Sequence, residues 1–193
     1  MLFRLAYLGK AYLYKGDHAS AKQWFDKVIA NGKTPSGEKY GLLDNYPDIY
    51  NAEFDNHKEA IFDVESANNS GSTQNANYFD DLNYPYNTGA DGPGNCCGFN
   101  QPTFSLANTF RTVNGLPRLN GEEFTNDGAI KNDYLIESSD AFEEDADPLD
   151  PRIDHSIGRR GIQYLDWIEH PGKAWIRKQD YAGPYSPKKY IYY

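Results

Sequence analysis

Apolar side chains recur at helical spacing most clearly over residues 2–31. Leu5, Leu8, Gly9 and Tyr12 mark one face of a first segment, and Ala21, Phe25, Val28 and Ile29 mark that of a second. Gly16-Asp17 between them offers a turn and an N-cap, and Gly32 offers a stop, so the pattern predicts a helical hairpin over 1–32. Beyond it the period changes. After a turn-rich stretch from Lys33 to Lys58, residues Glu59 to Glu65 alternate, with Ala60, Phe62 and Val64 on one face, and predict a short strand. Residues 66–102 are rich in Asn, Ser, Gly, Tyr and Asp and keep neither period, which reads as a long loop. Pro102 to Arg111 predicts a helix with Leu106, Ala107 and Phe110 on one side, ended by Asn114-Gly115. An acidic stretch from Asp140 to Asp150 follows, punctuated by Pro148 and Pro151. The aromatic, lysine-containing tail ends in Tyr190 to Tyr193, which reads as the start of a strand.

The fold class read from these elements is mainly α: a helical hairpin over 1–32, then a loop-rich region over 33–193 with short strands and helices in the same domain. The hairpin reproduces tetratricopeptide spacing in Leu5-x2-Leu8-Gly9-x2-Tyr12 and Ala21-x3-Phe25, with Leu5 where that repeat has Trp and the terminal proline displaced to Pro35. Small Gly9 and Ala21 let the helices approach, and Tyr12 and Phe25 fill the space between them. One such repeat cannot bury its own apolar face, so further helices are expected from outside this chain.

Composition sharpens the function classes. The chain has 193 residues, of which 39% are hydrophobic, yet 15% are aromatic, with 16 Tyr, 10 Phe and 3 Trp. Tyrosine and tryptophan on a loop-rich surface suit stacking on ligands. The net charge of −9 argues against nucleic acid, whose phosphates require clustered Lys and Arg, and favours a neutral or cationic ligand. No run of about 18 apolar residues occurs. Residues 1–14 superficially resemble a signal peptide, but Arg4 and Lys10 interrupt the apolar stretch and no small-residue cleavage site follows. Cys96 and Cys97 are expected as free, buried side chains, because adjacent Cα atoms lie closer than ordinary bridges span.

Little catalytic chemistry is written in the chain. Gly32-Lys33-Thr34 lacks the earlier glycine of a phosphate-binding loop, Lys27 standing there, and Gly92-x-Gly94 has its next glycine one place too late for a dinucleotide fingerprint. No cofactor is expected. His18, His57, His155 and His170 are scattered, no Gly-x-Ser-x-Gly occurs, and the acidic loop holding Asp145, Asp147 and Asp150 lacks the glycine of a calcium hand, so it reads as solvated. What remains is aromatic and amide-rich. Sugars present apolar C–H faces and hydroxyl edges, which need a flat ring with amides or carboxylates beside it. Tyr78, Tyr84 and Tyr86, interleaved with Asn77, Asp81 and Asn83, are therefore the expected ligand-binding residues, with no catalytic and no metal residues.

Several short segments resemble the SusD/RagB family of nutrient-binding outer-membrane lipoproteins. They are Tyr14 to Ala21 in the hairpin, Asn56-His57-Lys58-Glu59-Ala60-Ile61-Phe62, Gln101-Pro102-Thr103 before a helix, Asn114-Gly115-Leu116-Pro117, and Asp150-Pro151-Arg152. The resemblance implies part of a larger helical superhelix fold with a loop-rich ligand face and no catalysis. It implies an oligosaccharide ligand, or a peptide in a variant of the same role, and a TonB-dependent (SusC-like) outer-membrane transporter as partner. It also implies a cell-surface lipoprotein, of which this chain would be an internal piece without the signal peptide and lipidated cysteine. An ion pair between Asp150 and Arg152 is expected to fix the loop between them. A tetratricopeptide-type protein-interaction module is the other reading of the hairpin.

Overall fold

The periodic segment folds as its spacing requires. Helix α1 spans Phe3–Tyr14 and α2 spans His18–Asn31. Asp17 caps α2: its carboxylate accepts from Ser20 N at 3.0 Å and Ser20 Oγ at 2.8 Å, which holds its pKa below the ordinary carboxylate value. The helices meet where Gly9 faces Phe25, since a Cβ on Gly9 would sit 2.7 Å from the ring. Ala21 and Val28 are buried, while Leu13, Tyr14 and Ile29 remain exposed. Gly32 ends α2 at φ −66°, not in the left-handed region. Its lack of a side chain serves packing: a Cβ there would meet the Tyr40 ring at 2.4 Å.

The computed structural model describes residues 3–63, 80–89, 97–118, 128–189 and 191. The chain divides into two compact units, Met1–Ser66 and Ala67–Tyr193. In the first, the stretch from Lys33 to Asp63 folds with the hairpin through 3-10 turns at Tyr46–Tyr50 and Ala52–Phe54, and the Tyr7 and Phe62 rings meet edge to face at 6.0 Å. The strand predicted from Glu59 does not form over its described part, which ends at Asp63. The backbone there is spent locally. Asn56 turns into the left-handed region at φ 59°, Ala60 N donates to the His57 carbonyl, and Glu59 N donates to His57 Nδ1 at 3.1 Å. The Glu59 carboxylate in turn accepts from Leu43 N at 3.0 Å, a side chain standing where a ladder partner would be.

The second unit is built differently, so "mainly α" describes the hairpin and not this part. Among the described residues its helices are single turns, α3 Phe104–Asn108, α4 Ile153–Ser156 and α5 Gln179–Ala182. Its strands are two-residue antiparallel pairs, β1 Thr112–Val113 with β2 Leu116–Pro117 and β3 Ile157–Gly158 with β4 Ser186–Pro187. Thr103 caps α3 by accepting from Leu106 N, and Ala107 and Phe110 face inward as predicted, but Leu106 points to solvent and Asn108 replaces it inside. Asn114-Gly115 does not end this helix. With φ of 53° and 76° it forms the tight turn of the β1–β2 hairpin, the turn whose handedness matches strand twist.

The apolar core of this unit is Ala107, Ile130, Ile153, Ile157 and Tyr185, with Phe110 and Leu149 against it. Polar ties run alongside it. Arg111, buried, grips Asp145 through Nη1 at 2.9 Å and Nη2 at 2.5 Å, and donates to the Gly128 and Ala129 carbonyls. Asp145 also accepts from Lys131 N and Asp147 N. It is therefore not the solvated acid expected. Burial opposes its ionisation, but the Arg111 hydrogen bonds, those two amides and the Arg111 charge outweigh that and lower its pKa to about 2. Asp150 does pair with Arg152, through Nε at 2.9 Å and through Nη2.

A second interior cluster gathers Tyr164, Trp175 and His170 around Gly158, with Tyr164 Oη donating to the Pro187 carbonyl at 2.6 Å. Lys188 Nζ, largely buried, donates to the Asp154 and Gln163 carbonyls, and burial lowers its pKa to about 8.

Replacing Asp145 by Asn leaves Arg111 charged, buried and poorly matched, and is expected to lower stability by about 3–5 kcal/mol in urea unfolding. In the unaltered chain, the depressed Asp145 pKa contributes about 2–3 kcal/mol. That contribution is present above the unfolded value of 3.8 and is lost as pH falls through about 2. Equal stability of Asp145→Asn and the unaltered chain at neutral pH would contradict the assignment.

Candidate functional site

Three stretches far apart in sequence converge on one patch of the second unit. The segment after the 3-10 turn Asp80–Asn83 runs beside residues 97–99: Phe99 N donates to the Leu82 carbonyl at 3.0 Å and Gly98 N to the Tyr84 carbonyl at 2.9 Å. Tyr86 N then donates to the Trp175 carbonyl at 3.0 Å, which brings in the stretch around the 3-10 turn Lys173–Trp175. Gly98 makes the approach possible. Its φ is +70°, and a Cβ would lie 3.0 Å from Tyr86 Cβ and 3.5 Å from Arg177 Cβ. Trp175 is buried against Tyr164 and His170, so the patch stands on the aromatic interior.

The outcome is a guanidinium between two rings. Arg177 Cζ lies 5.0 Å from the centroid of Tyr86 and 5.1 Å from that of Phe99. Tyr86 is 39% exposed and Phe99 43%, and Arg177 is exposed with them. Of the residues expected from the sequence, Tyr86 stands in this patch. Tyr84 is half-buried beneath it, near enough to Tyr164 to add to the upward push that burial gives that phenol. Asn83 is buried, and its Oδ1 accepts from Asn100 Nδ2 at 2.8 Å, so this amide oxygen serves the turn. Asp81 contributes backbone to the 3-10 turn, and its side chain is outside the described part, as are Asn77 and Tyr78 altogether. Phe99 and Arg177 were not legible as site residues. The first is one aromatic among many, and the second sits in the tail, 91 positions after Tyr86 (177 − 86).

Cys97 corrects a further expectation: it is disulfide-bonded, and the other cysteine of the chain is its neighbour Cys96. The spacing argument described relaxed bridges, and adjacent Cα atoms fall only slightly short of their range.

The buried His170–Ser186 contact of 2.9 Å is not an acyl-transfer pair. His170 Nδ1 accepts from Gly172 N at 3.0 Å, so in the neutral ring the proton is on Nε2 and is donated to Ser186 Oγ, the reverse of base activation. Burial, with the nearby Lys188 charge, lowers its pKa to about 3 and keeps the ring neutral. Nor does the small cavity beside Asp133 and Tyr185 suit a ligand: at about 10 Å³ it has room for a single water. The Tyr86–Arg177–Phe99 patch offers instead exposed rings and an exposed guanidinium on a hydrogen-bonded backbone.

Gly98→Ala forces a Cβ into the left-handed region and towards Tyr86. It is expected to cost about 1–2 kcal/mol in urea unfolding and to displace Tyr86 from Arg177, seen as a changed Tyr86 ring resonance. An unchanged midpoint and spectrum would contradict the geometry.

A sequence model of the SusD family matches residues 58–193. No curated protein matches the chain. The match takes in all the described residues of the second unit and covers well over half of the chain, and the chain therefore belongs to the SusD family, whose members are surface-exposed nutrient-binding proteins.

Proposed function

We propose that this chain serves the non-catalytic capture of oligosaccharides for uptake through a TonB-dependent outer-membrane transporter. The observation that carries the reading is the pair of exposed rings, Tyr86 and Phe99, on backbone that hydrogen bonds tie to Trp175 and Leu82. A sugar stacks an apolar face on such rings, while neighbouring polar groups take its hydroxyls. Tyr84, Asn83, Asp81, Asn77 and Tyr78 complete the proposed contact set, Asn83 by holding the turn with Asn100. Family membership supports nutrient binding at the cell surface, the disulfide at Cys97 supports a location outside the reducing cytoplasm, and the proposed location is the outer-membrane surface, as a lipid-anchored protein. Among the described residues no helix is long and apolar enough to cross a membrane.

A second reading has its own observation. The hairpin leaves Tyr7, Leu13, Tyr14 and Ile29 exposed, as a tetratricopeptide-type unit does when it awaits neighbouring helices or a protein partner. Peptide capture uses the same kind of ring-lined patch as sugar capture.

Calorimetric titration with a panel of soluble glycans and short peptides separates these readings. Saturable binding of a glycan, weakened by at least about 1 kcal/mol in Tyr86→Ala, is expected. Binding confined to peptides would move the ligand to that class, and a folded chain that binds neither would favour the interaction module.

A further inference from the structure

Arg177 is held in an unusual way for this chain. In the same unit Arg111, Arg152 and Arg159 each grip a carboxylate, and Arg160 caps the carbonyls of Glu137, Ser138 and Asp140. Arg177 has no ion pair or side-chain hydrogen bond among the described residues, although the chain carries 28 acidic residues. Among the described residues its guanidinium is held by the Tyr86 and Phe99 ring faces. The guanidinium lies over the faces of both rings, and on this exposed side chain its N–H donors make no hydrogen bond among the described residues. A planar fork of that kind matches a carboxylate, with two parallel hydrogen bonds to its two oxygens.

From this placement we infer that Arg177 is a specificity residue for acidic sugars: the patch takes a uronic-acid-containing oligosaccharide, its carboxylate on the Arg177 edge and its neighbouring sugar rings against Tyr86 and Phe99. The inference rests on the proposed glycan capture. The net charge of −9 favours neutral or cationic ligands at long range, but charges beyond about 8–10 Å are screened at physiological salt, and the local groups decide. Beside Arg177, Lys178 pairs with Asp180 at 3.4 Å, and among the described residues no carboxylate pairs with Arg177.

The test is calorimetry of the full chain with short galacturonic-acid oligomers and with their methyl esters, which keep the sugar rings and remove the charge. The acid is expected to bind roughly tenfold or more tighter than the ester, the gain typical of a charge-assisted hydrogen bond, and the ratio should shrink as salt rises. Arg177→Gln should bring the ratio close to one. Arg177→Lys, which keeps the charge and loses the fork, should retain part of it and serves if the first variant does not fold. Equal affinity for acid and ester, or a preference that survives Arg177→Gln, overturns the inference while leaving glycan capture standing. No affinity for any glycan overturns both, and Arg177-dependent binding of peptides with a free C-terminal carboxylate reassigns the fork to a peptide.

Discussion

A guanidinium withdrawn from water has to find charge and acceptors inside the protein, and the second unit is organised around meeting that demand for Arg111. Its side chain joins the Asp145 carboxylate to the carbonyls at Gly128 and Ala129, while its backbone bridges to Leu149 and the neighbouring Phe110 carbonyl accepts from Asp150 N at 2.8 Å. Chain segments 17 and 34 residues away are thereby fixed to the end of one short helix. A broken pair would leave these loops without a common anchor. The pair is a poor source of net stability compared with apolar packing, but a strong constraint on which arrangement forms.

The same device recurs at lower strength. Asp150 and Arg152 close their loop, Arg159 holds Asp154, and Lys188 ties the Asp154 and Gln163 carbonyls below the Tyr164 ring. The first two tie a cation to a carboxylate, and Lys188 satisfies backbone carbonyls that a regular ladder would otherwise satisfy, since every buried backbone group needs a partner. A scaffold of this kind can present irregular loops on a fixed base. The proposed binding patch stands on it: Tyr86 N donates to the Trp175 carbonyl, and Trp175 is packed into the interior.

What the sequence disclosed follows the range of the interactions. The hairpin was legible because helical periodicity, the Asp17 cap and small Gly9 are local signals, and the Asp150–Arg152 pair because its partners are two residues apart. The strand at Glu59 was misread because alternation says nothing of a missing ladder partner, and His57 and Glu59 redirected the backbone. Asn114-Gly115 carried the right signal for a hairpin turn, and the preceding helical pattern obscured it. Asp145 looked solvated because its partner Arg111 is 34 residues away. Of the three residues of the proposed patch, Tyr86 was named from the sequence, in a loop rich in rings and amides. Phe99 and Arg177 emerge only when backbone pairing draws residues 86, 98 and 175 together.

The claim that ligand is taken up between Tyr86, Arg177 and Phe99 is tested most directly by following the Arg177 Nε–H resonance and the Tyr86 and Phe99 ring resonances during a glycan titration. Saturable shifts at all three, sharing one binding curve, are predicted. Saturable binding that leaves these resonances in place and moves others would contradict the claim and locate the site elsewhere on the chain.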